Sequence, residues 1–167
     1  MASRSPCVTD TNVWIDFDDA GLTDLIFRLP LNLQAPDVIV AELERPDGAV
    51  LVERGLQVRE LTGSQVLEVA RLARQYLRPS RSDLFALVLA KSEGATLLTG
   101  DRHLRSAAES EGVNVHGTLW LVDEMVEARL LEQREAAARL LRMVQAGRRL
   151  PTEEVKRRLK IWEEGLR

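Results

Sequence analysis

The sequence holds one cysteine, Cys7, and two histidines, His103 and His116, in 167 residues. A disulfide scaffold and a zinc-finger framework are excluded, and two isolated histidines are too few to build a zinc site. A lone thiol fits a reducing compartment, and the cytoplasm is the expected location. Aromatic residues make up only 4%. Trp14, Trp120 and Trp162 lie far apart, so they are read as core or interface anchors and not as a base-stacking platform. No run of about 18 apolar residues occurs, so no membrane span is expected. Met1–Pro6 lacks the apolar core of a secretory leader. No glycine-rich phosphate loop is present. The net charge is only −3 and the hydrophobic content is 45%, a combination that excludes intrinsic disorder.

What is present fits one globular domain. A chain of this length buries roughly 70% of its unfolded surface and needs no covalent staple. The charge is unevenly spread. Arg134–Arg167 carries ten basic and five acidic residues, while the rest carries 13 basic and 21 acidic. Such a segment is either a solvated helical surface or a face that meets an anionic partner.

Short β-type runs alternate with helical periodicity. Strands are expected at Cys7–Thr9, Leu31–Ala35, Gln57–Leu61, Ala95–Thr99 and Val113–His116. Helices are expected at Asn12–Asp19, Thr23–Arg28, Val38–Glu44 (with Asp37 as its cap) and Ser64–Leu77. Ser80-x-x-Asp83 has the form of a helix start, and the residues after it are apolar almost all round, which predicts a buried helix closed by Gly94. Further helices are expected over Asp101–Glu111, from a Thr118 cap through Leu131, over Gln133–Gln145, and over Thr152–Trp162 after Pro151. The alternation predicts an α/β fold with a parallel sheet covered by helices on both faces. The domain proper should span 1–132, with 133–167 a helical extension packed on it.

In such sheets ligands collect at the carboxyl ends of strands. Asp10 follows the first strand, and Asp101 follows the fourth after Gly100. Glu42 lies on an early helix and Asp83 in the first turn of the buried one. Singly, each has a plain structural role, as a helix cap, a capping-box acid or a solvent-facing residue. Together, four converging carboxylates would repel one another unless a divalent cation joined them. Carboxylates and water suit Mg²⁺ or Mn²⁺. One or two such ions can polarise a phosphoryl oxygen and generate a nucleophilic hydroxide.

The motifs around these acids resemble those of the PIN-domain family. Asp10-Thr11-Asn12-Val13-Trp14-Ile15-Asp16 is similar to its opening. Pro36-Asp37-Val38-Ile39-Val40-Ala41-Glu42-Leu43 resembles its second acidic motif, Asp83-Leu84-Phe85-Ala86-Leu87-Val88-Leu89-Ala90 its third, and Leu98-Thr99-Gly100-Asp101-Arg102-His103-Leu104 its fourth. The order and spacing agree over roughly Cys7–Leu131. Gly117–Trp120 and Arg148–Glu154 look like a subgroup with added C-terminal helices.

The resemblance implies a three-layer α/β/α sandwich and metal-dependent endoribonuclease activity, of the kind seen in toxins of VapBC-type toxin–antitoxin pairs. It implies Asp10, Glu42, Asp83 and Asp101 as the acidic site, with Asp10, Asp83 and Asp101 as metal ligands. Glu42 would hold a water or a second ion, and Thr11, Asn12 and Thr99 would orient ligands or phosphate. A protein antitoxin and a homodimer are implied as partners. The pattern departs from the family at Thr9, where an aliphatic residue is usual. Glu44 competes with Glu42, and Asp16, Asp18 and Asp19 are extra acids without an assigned role.

Asp16-Phe17-Asp18 has the form of a haloacid-dehalogenase-like phosphatase motif, but it falls inside a helix and not directly after a strand, which that chemistry requires. Arg71, Arg74 and Arg78 share one helix face. With Arg81, Arg102 and Arg105 they are expected to guide RNA phosphates toward the acids, or else to form a solvated stripe. His103 is a candidate substrate contact. The alternatives to an RNA nuclease are a non-catalytic PIN-like scaffold that binds RNA or protein, and a nuclease acting on DNA.

Overall fold

The structure, a computed structural model, describes residues 4–165. Met1–Ser3, part of the stretch read for a leader, and Leu166–Arg167, which close the extension, lie outside the described residues. Five strands form one parallel sheet: β1 (Ser5–Thr9), β2 (Leu31–Pro36), β3 (Gln57–Arg59), β4 (Thr96–Leu98) and β5 (Val115–His116). Their order is β3-β2-β1-β4-β5. Cys7 pairs with Leu33 on one side and with Thr96 on the other. The central strand is buried on both faces, as a parallel sheet requires, and its Cys7, Val8 and Thr9 are all buried. Burial also pushes the Cys7 thiol up to about 11, which leaves it chemically inert.

One layer of helices is built on α6 (Arg81–Glu93), which packs against β1, β2 and β4 with α5 (Gly63–Gln75) and α7 (Arg102–Ser110) beside it. Leu84, Ala86, Leu87, Val88, Leu89 and Ala90 of α6 are all buried, as the apolar run predicts. Gly94 ends α6 in a left-handed conformation that glycine adopts without strain. The other layer contains α1 (Thr11–Ala20), α2 (Thr23–Ile26), α8 (Thr118–Glu127) and α9 (Gln133–Gln145), with α10 (Thr152–Glu164) on α9. Trp14 and Phe17 of α1 are fully buried there.

The C-terminal helices share the core of the domain. Ala136, Leu140 and Met143 of α9 and Val155 and Trp162 of α10 are buried within the same hydrophobic cluster as the sheet. Arg139 of α9 donates to the carbonyls of Ala20 (2.9 Å) and Gly21 (3.4 Å), so a cation from the extension satisfies the last turn of α1. Glycine suits that junction. A Cβ there would sit 2.7 Å from the Arg139 guanidinium, and its backbone is left-handed. Among the described residues no helix is long and apolar enough to cross a membrane.

Several expected elements shift. Helix α3 (Asp37–Glu42) begins at Asp37 itself, with Pro36 at the cap position. A short helix, α4 (Gly48–Glu53), follows the Pro46-Asp47 turn and is absent from the sequence reading. Its cap is Asp47, whose side chain accepts from the Ala49 N–H. Helix α8 stops at Glu127, before the expected Leu131.

Candidate active site

Strand order reverses between β1 and β4. The chain moves outward from β1 through β2 and β3, then returns to the other side for β4 and β5. The crevice outside the carboxyl ends of β1 and β4 is therefore where a parallel sheet places its ligands. Asp10 directly follows β1, and Asp101 follows β4 after Thr99 and Gly100. Asp10 Oδ1 accepts from the Val13 N–H at 2.9 Å and starts α1. Asp101 Oδ1 accepts from the Leu104 N–H at 2.8 Å and starts α7. Ser80 and Asp83 cap α6 reciprocally: Ser80 Oγ accepts from the Asp83 N–H at 3.1 Å, and Asp83 Oδ2 accepts from the Ser80 N–H at 2.8 Å. The capping roles open to these acids are thus real, and each employs one carboxylate oxygen.

The remaining contacts tie the four segments together. Thr99 donates its hydroxyl to Asp10 Oδ2 at 2.5 Å and accepts the Asp101 N–H at 3.0 Å, so it joins Asp10 to Asp101. Glu42, the exposed last residue of α3, accepts from the Thr11 hydroxyl at one oxygen. Its other oxygen accepts from Ser82 Oγ at 2.8 Å. The chain neighbours of Asp10 and Asp83 therefore hold Glu42 between them. Glu44 lies instead in the turn that bridges to Asp47. All four acids read from the sequence come to one end of the sheet.

No lysine or arginine among the described residues forms an ion pair with Asp10, Glu42, Asp83 or Asp101. Burial pushes the Asp10 carboxyl up to about 7. The Thr99 and Val13 hydrogen bonds oppose that rise, and the charges of Asp83 and Asp16 add to it. The Asp83 carboxyl is also raised, first by burial and then by Asp101 and Glu42, against the Ser80 bonds. Burial is the larger cause for both, and repulsion among the acids adds to it, so a bound cation would relieve the cluster. Hard oxygen donors without a soft ligand fit Mg²⁺ or Mn²⁺. Among the described residues no three acidic, histidine or cysteine side chains stand close enough together to hold a metal ion as placed.

The other candidate residues separate into two groups. Thr11 and Thr99 contact the acids, and Asn12 Oδ1 accepts from Arg148 at 3.4 Å beside them. Arg102, the exposed first residue of α7, lines a groove of about 1040 Å³ that also includes Thr99, Asp101 and His103. Arg71 and Arg74 are not brought to the acids. Arg71 pairs with Glu68 at 2.7 Å and reaches Glu111 at 3.8 Å. Glu111 caps the carboxyl end of α7, the end opposite Asp101. Helix α5 leads in sequence to Asp83, but in space its arginine face meets the far ends of α6 and α7. Arg74 is exposed and lines neither the groove nor the acid cluster.

A second buried acid, Asp16, has no role assigned from the sequence. Asp16 is 3% exposed. Its Oδ1 accepts from Arg148 Nε at 2.5 Å and its Oδ2 from the Thr118 hydroxyl at 2.7 Å. Thr118 therefore does not cap α8. Gly117 holds that position, without a side-chain bond. Burial raises the Asp16 carboxyl despite the Arg148 and Thr118 bonds. One signal was available: Asn12, Asp16 and Asp19 share a helix face, and Arg148 reaches all three. Trp120, read as a core or interface anchor, is half-buried and stacks on His116 with centroids 4.1 Å apart.

Known proteins give the same frame. The PIN-domain family described as DUF3368 matches residues 6–164, which includes the C-terminal helices. No curated protein matches the chain. Among solved structures, the chain is similar to a PilT N-terminus domain protein, SSO1118, of the hyperthermophilic archaeon Sulfolobus solfataricus P2. The TM-score is 0.54 at 16% identity, over 73% of this chain and 94% of that one. It is also similar to PAE2754 of Pyrobaculum aerophilum, with a TM-score of 0.52 at 18% identity, over 74% and 98% of the two chains.

Proposed function

The chain belongs to the PIN-domain family, whose members are typically nucleases, and from that premise we propose that it is a Mg²⁺- or Mn²⁺-dependent endoribonuclease. The observation that supports this most is the meeting of four carboxylates from four segments at the β1/β4 crevice, with no cationic side chain among the described residues paired to any of them. Asp10, Asp83 and Asp101 would hold the ion. When bound, it would supply Lewis acidity at the phosphoryl oxygen and a more acidic attacking water. Thr99 fixes Asp10 relative to Asp101. Glu42, oriented by Thr11 and Ser82 and open to solvent, positions water or helps to hold a second ion. Water adds to phosphorus in line as the bond to the leaving nucleotide oxygen breaks, and that oxygen takes a proton.

The test is incubation of the purified chain with a mixed RNA pool and Mg²⁺ or Mn²⁺. Cleavage should appear with metal, stop with EDTA, and fall by orders of magnitude in Asp101→Asn. Full activity of that folded variant would reject the site assignment, and cleavage undiminished by EDTA would reject the metal.

The finer reading is a toxin of a toxin–antitoxin pair, a cytoplasmic homodimer neutralised by a protein antitoxin. Its support is the family resemblance in a chain of this size. Induced expression should arrest growth unless a short neighbouring reading frame is expressed with it. Growth unaffected by the active protein would count against that role.

A further inference from the structure

The groove beside the acids has two walls from distant parts of the chain. One is the start of α7 with the β5–α8 corner, which contributes Arg102, Arg105, His116 and Trp120. The other is the turn between α9 and α10, which contributes Arg148 and Arg149. Its positive charges are not equivalent. Arg148 is committed to Asp16, and Arg158, at the groove's edge, to Asp123 and Glu154. Among the described residues Arg102, Arg105 and Arg149 form no ion pair. Arg105 lies over Gly117, where a Cβ would come within 3.0 Å of its guanidinium. The groove thus offers three uncommitted guanidinium groups, and it is continuous with the acid cluster through Thr99 and Asp101.

The aromatic pair adds a second, independent feature. The His116 and Trp120 rings lie 10° from parallel, partly exposed on the same groove. Burial and the Arg105 charge lower the His116 pKa, with Glu124 opposing, so the ring is neutral at pH 7 and acts as an aromatic surface. Guanidinium groups beside a partly exposed aromatic stack are what single-stranded nucleic acid requires, because its unpaired bases can stack while its phosphates meet arginine.

We propose that this groove is a subsite for single-stranded RNA flanking the scissile phosphate, in which Arg102, Arg105 and Arg149 meet phosphates and the Trp120–His116 stack meets a base. The polymer's identity as RNA rests on the nuclease reading, and the groove's binding role rests on its own geometry. The C-terminal extension is then part of the substrate path, because Arg149 comes from it. Arg148 is a positioning residue, the strut that holds the α9–α10 turn against α1.

The test uses the full chain carrying Asp10→Asn and a fluorescently labelled oligouridylate, with anisotropy reading binding and a gel reading the integrity of the RNA. Replacing Arg102, Arg105 and Arg149 together with alanine should reduce the slope of log affinity against log salt by about 2, since each single-strand phosphate contact contributes about 0.7. Arg149→Ala alone, at an exposed turn, should lower the slope by about 0.7 without a fold change. Trp120→Leu, which keeps an apolar side chain, should weaken binding about fivefold to a hundredfold. Lys156→Ala, outside the groove, should leave the slope unchanged. Wild-type affinity and slope in the triple-arginine variant would overturn the proposal, as would tighter binding of duplex RNA than of the single strand. Cleavage of the probe by the Asp10→Asn chain would instead overturn the nuclease-site assignment and leave the groove in place.

Discussion

Asp10→Asn is expected to abolish cleavage and, in the metal-free protein at pH 8, to raise stability by about 2–4 kcal/mol. The Asp10 carboxyl is fully buried, titrates near 7 in the fold and near 3.9 in the unfolded chain. The native state therefore binds this proton more tightly. For a carboxyl raised in this way, stability contributed by the group is greatest below about pH 4. It declines as pH rises from about 4 to about 7, and is lost above that. The full difference is about 4 kcal/mol, which asparagine relieves by removing the charge while keeping the shape. The new amide oxygen can still accept the Val13 N–H, but the Thr99 hydroxyl must turn, so the gain falls below the full value. For a domain of this size the melting temperature should rise by roughly 5–12 °C at pH 8. At pH 4.5 the wild-type carboxyl is largely neutral in the fold but still mostly ionised in the unfolded chain, so the difference should shrink to about a quarter of its value at pH 8. Thermal denaturation with EDTA at the two pH values measures this. A variant less stable than wild type at pH 8 would mean that Asp10 is not a buried, uncompensated charge. An active site that destabilises its own fold is the usual exchange of stability for function.

The second large effect is expected at Arg148. Its pairing with Asp16 ties the α9–α10 turn to α1, and Asp16 is buried. Removing one partner of a buried pair strands the other, at about 3–5 kcal/mol. Arg148 is 23% exposed, so Arg148→Met should cost less, about 2–3 kcal/mol, or roughly 5–10 °C in melting temperature. The Asp16 carboxyl is already raised with Arg148 present, and losing that cation raises it further. The deficit should therefore be largest at alkaline pH and shrink as acid neutralises Asp16. Asp16→Asn combined with Arg148→Met should recover most of the loss, because no charge is then stranded. Urea denaturation of the four proteins in the cycle measures the coupling. Additivity within about 0.5 kcal/mol would show that the pair does not hold the extension.

What the sequence made legible followed from local rules. Ser80 and Asp83 bond each other three residues apart, and Gly94 ends the same helix, so short-range geometry alone sufficed. Asp10 and Asp101 were legible because each sits at a strand-to-helix turn, and a parallel sheet brings all such turns to one end. The short helix α4 was not legible. It spans Gly48–Glu53, too short for apolar periodicity to distinguish it from a strand. The partnership of Asp16 with Arg148 and Thr118 spans more than a hundred positions, and the polar face of Asn12, Asp16 and Asp19 marks a partner without saying which residue it is. Arg71 shows the opposite error. Closeness to Asp83 along the chain suggests closeness in space, but α5 reaches Glu111 at the far end of α7. Trp120 and His116, four positions apart, are separated by the strand-to-helix corner that lets their rings stack.

The central claim is that Asp10 and its neighbours hold a divalent cation. It is tested most directly by calorimetric titration of Mn²⁺ into the full chain at pH 7, in two buffers of different ionisation enthalpy. A buried carboxyl that titrates near 7 is partly protonated at that pH, so binding should release a substantial fraction of one proton. The account predicts saturable binding with that release, and loss of both in Asp10→Asn. Absence of binding to the wild type, or equal binding and proton release in the variant, would contradict it.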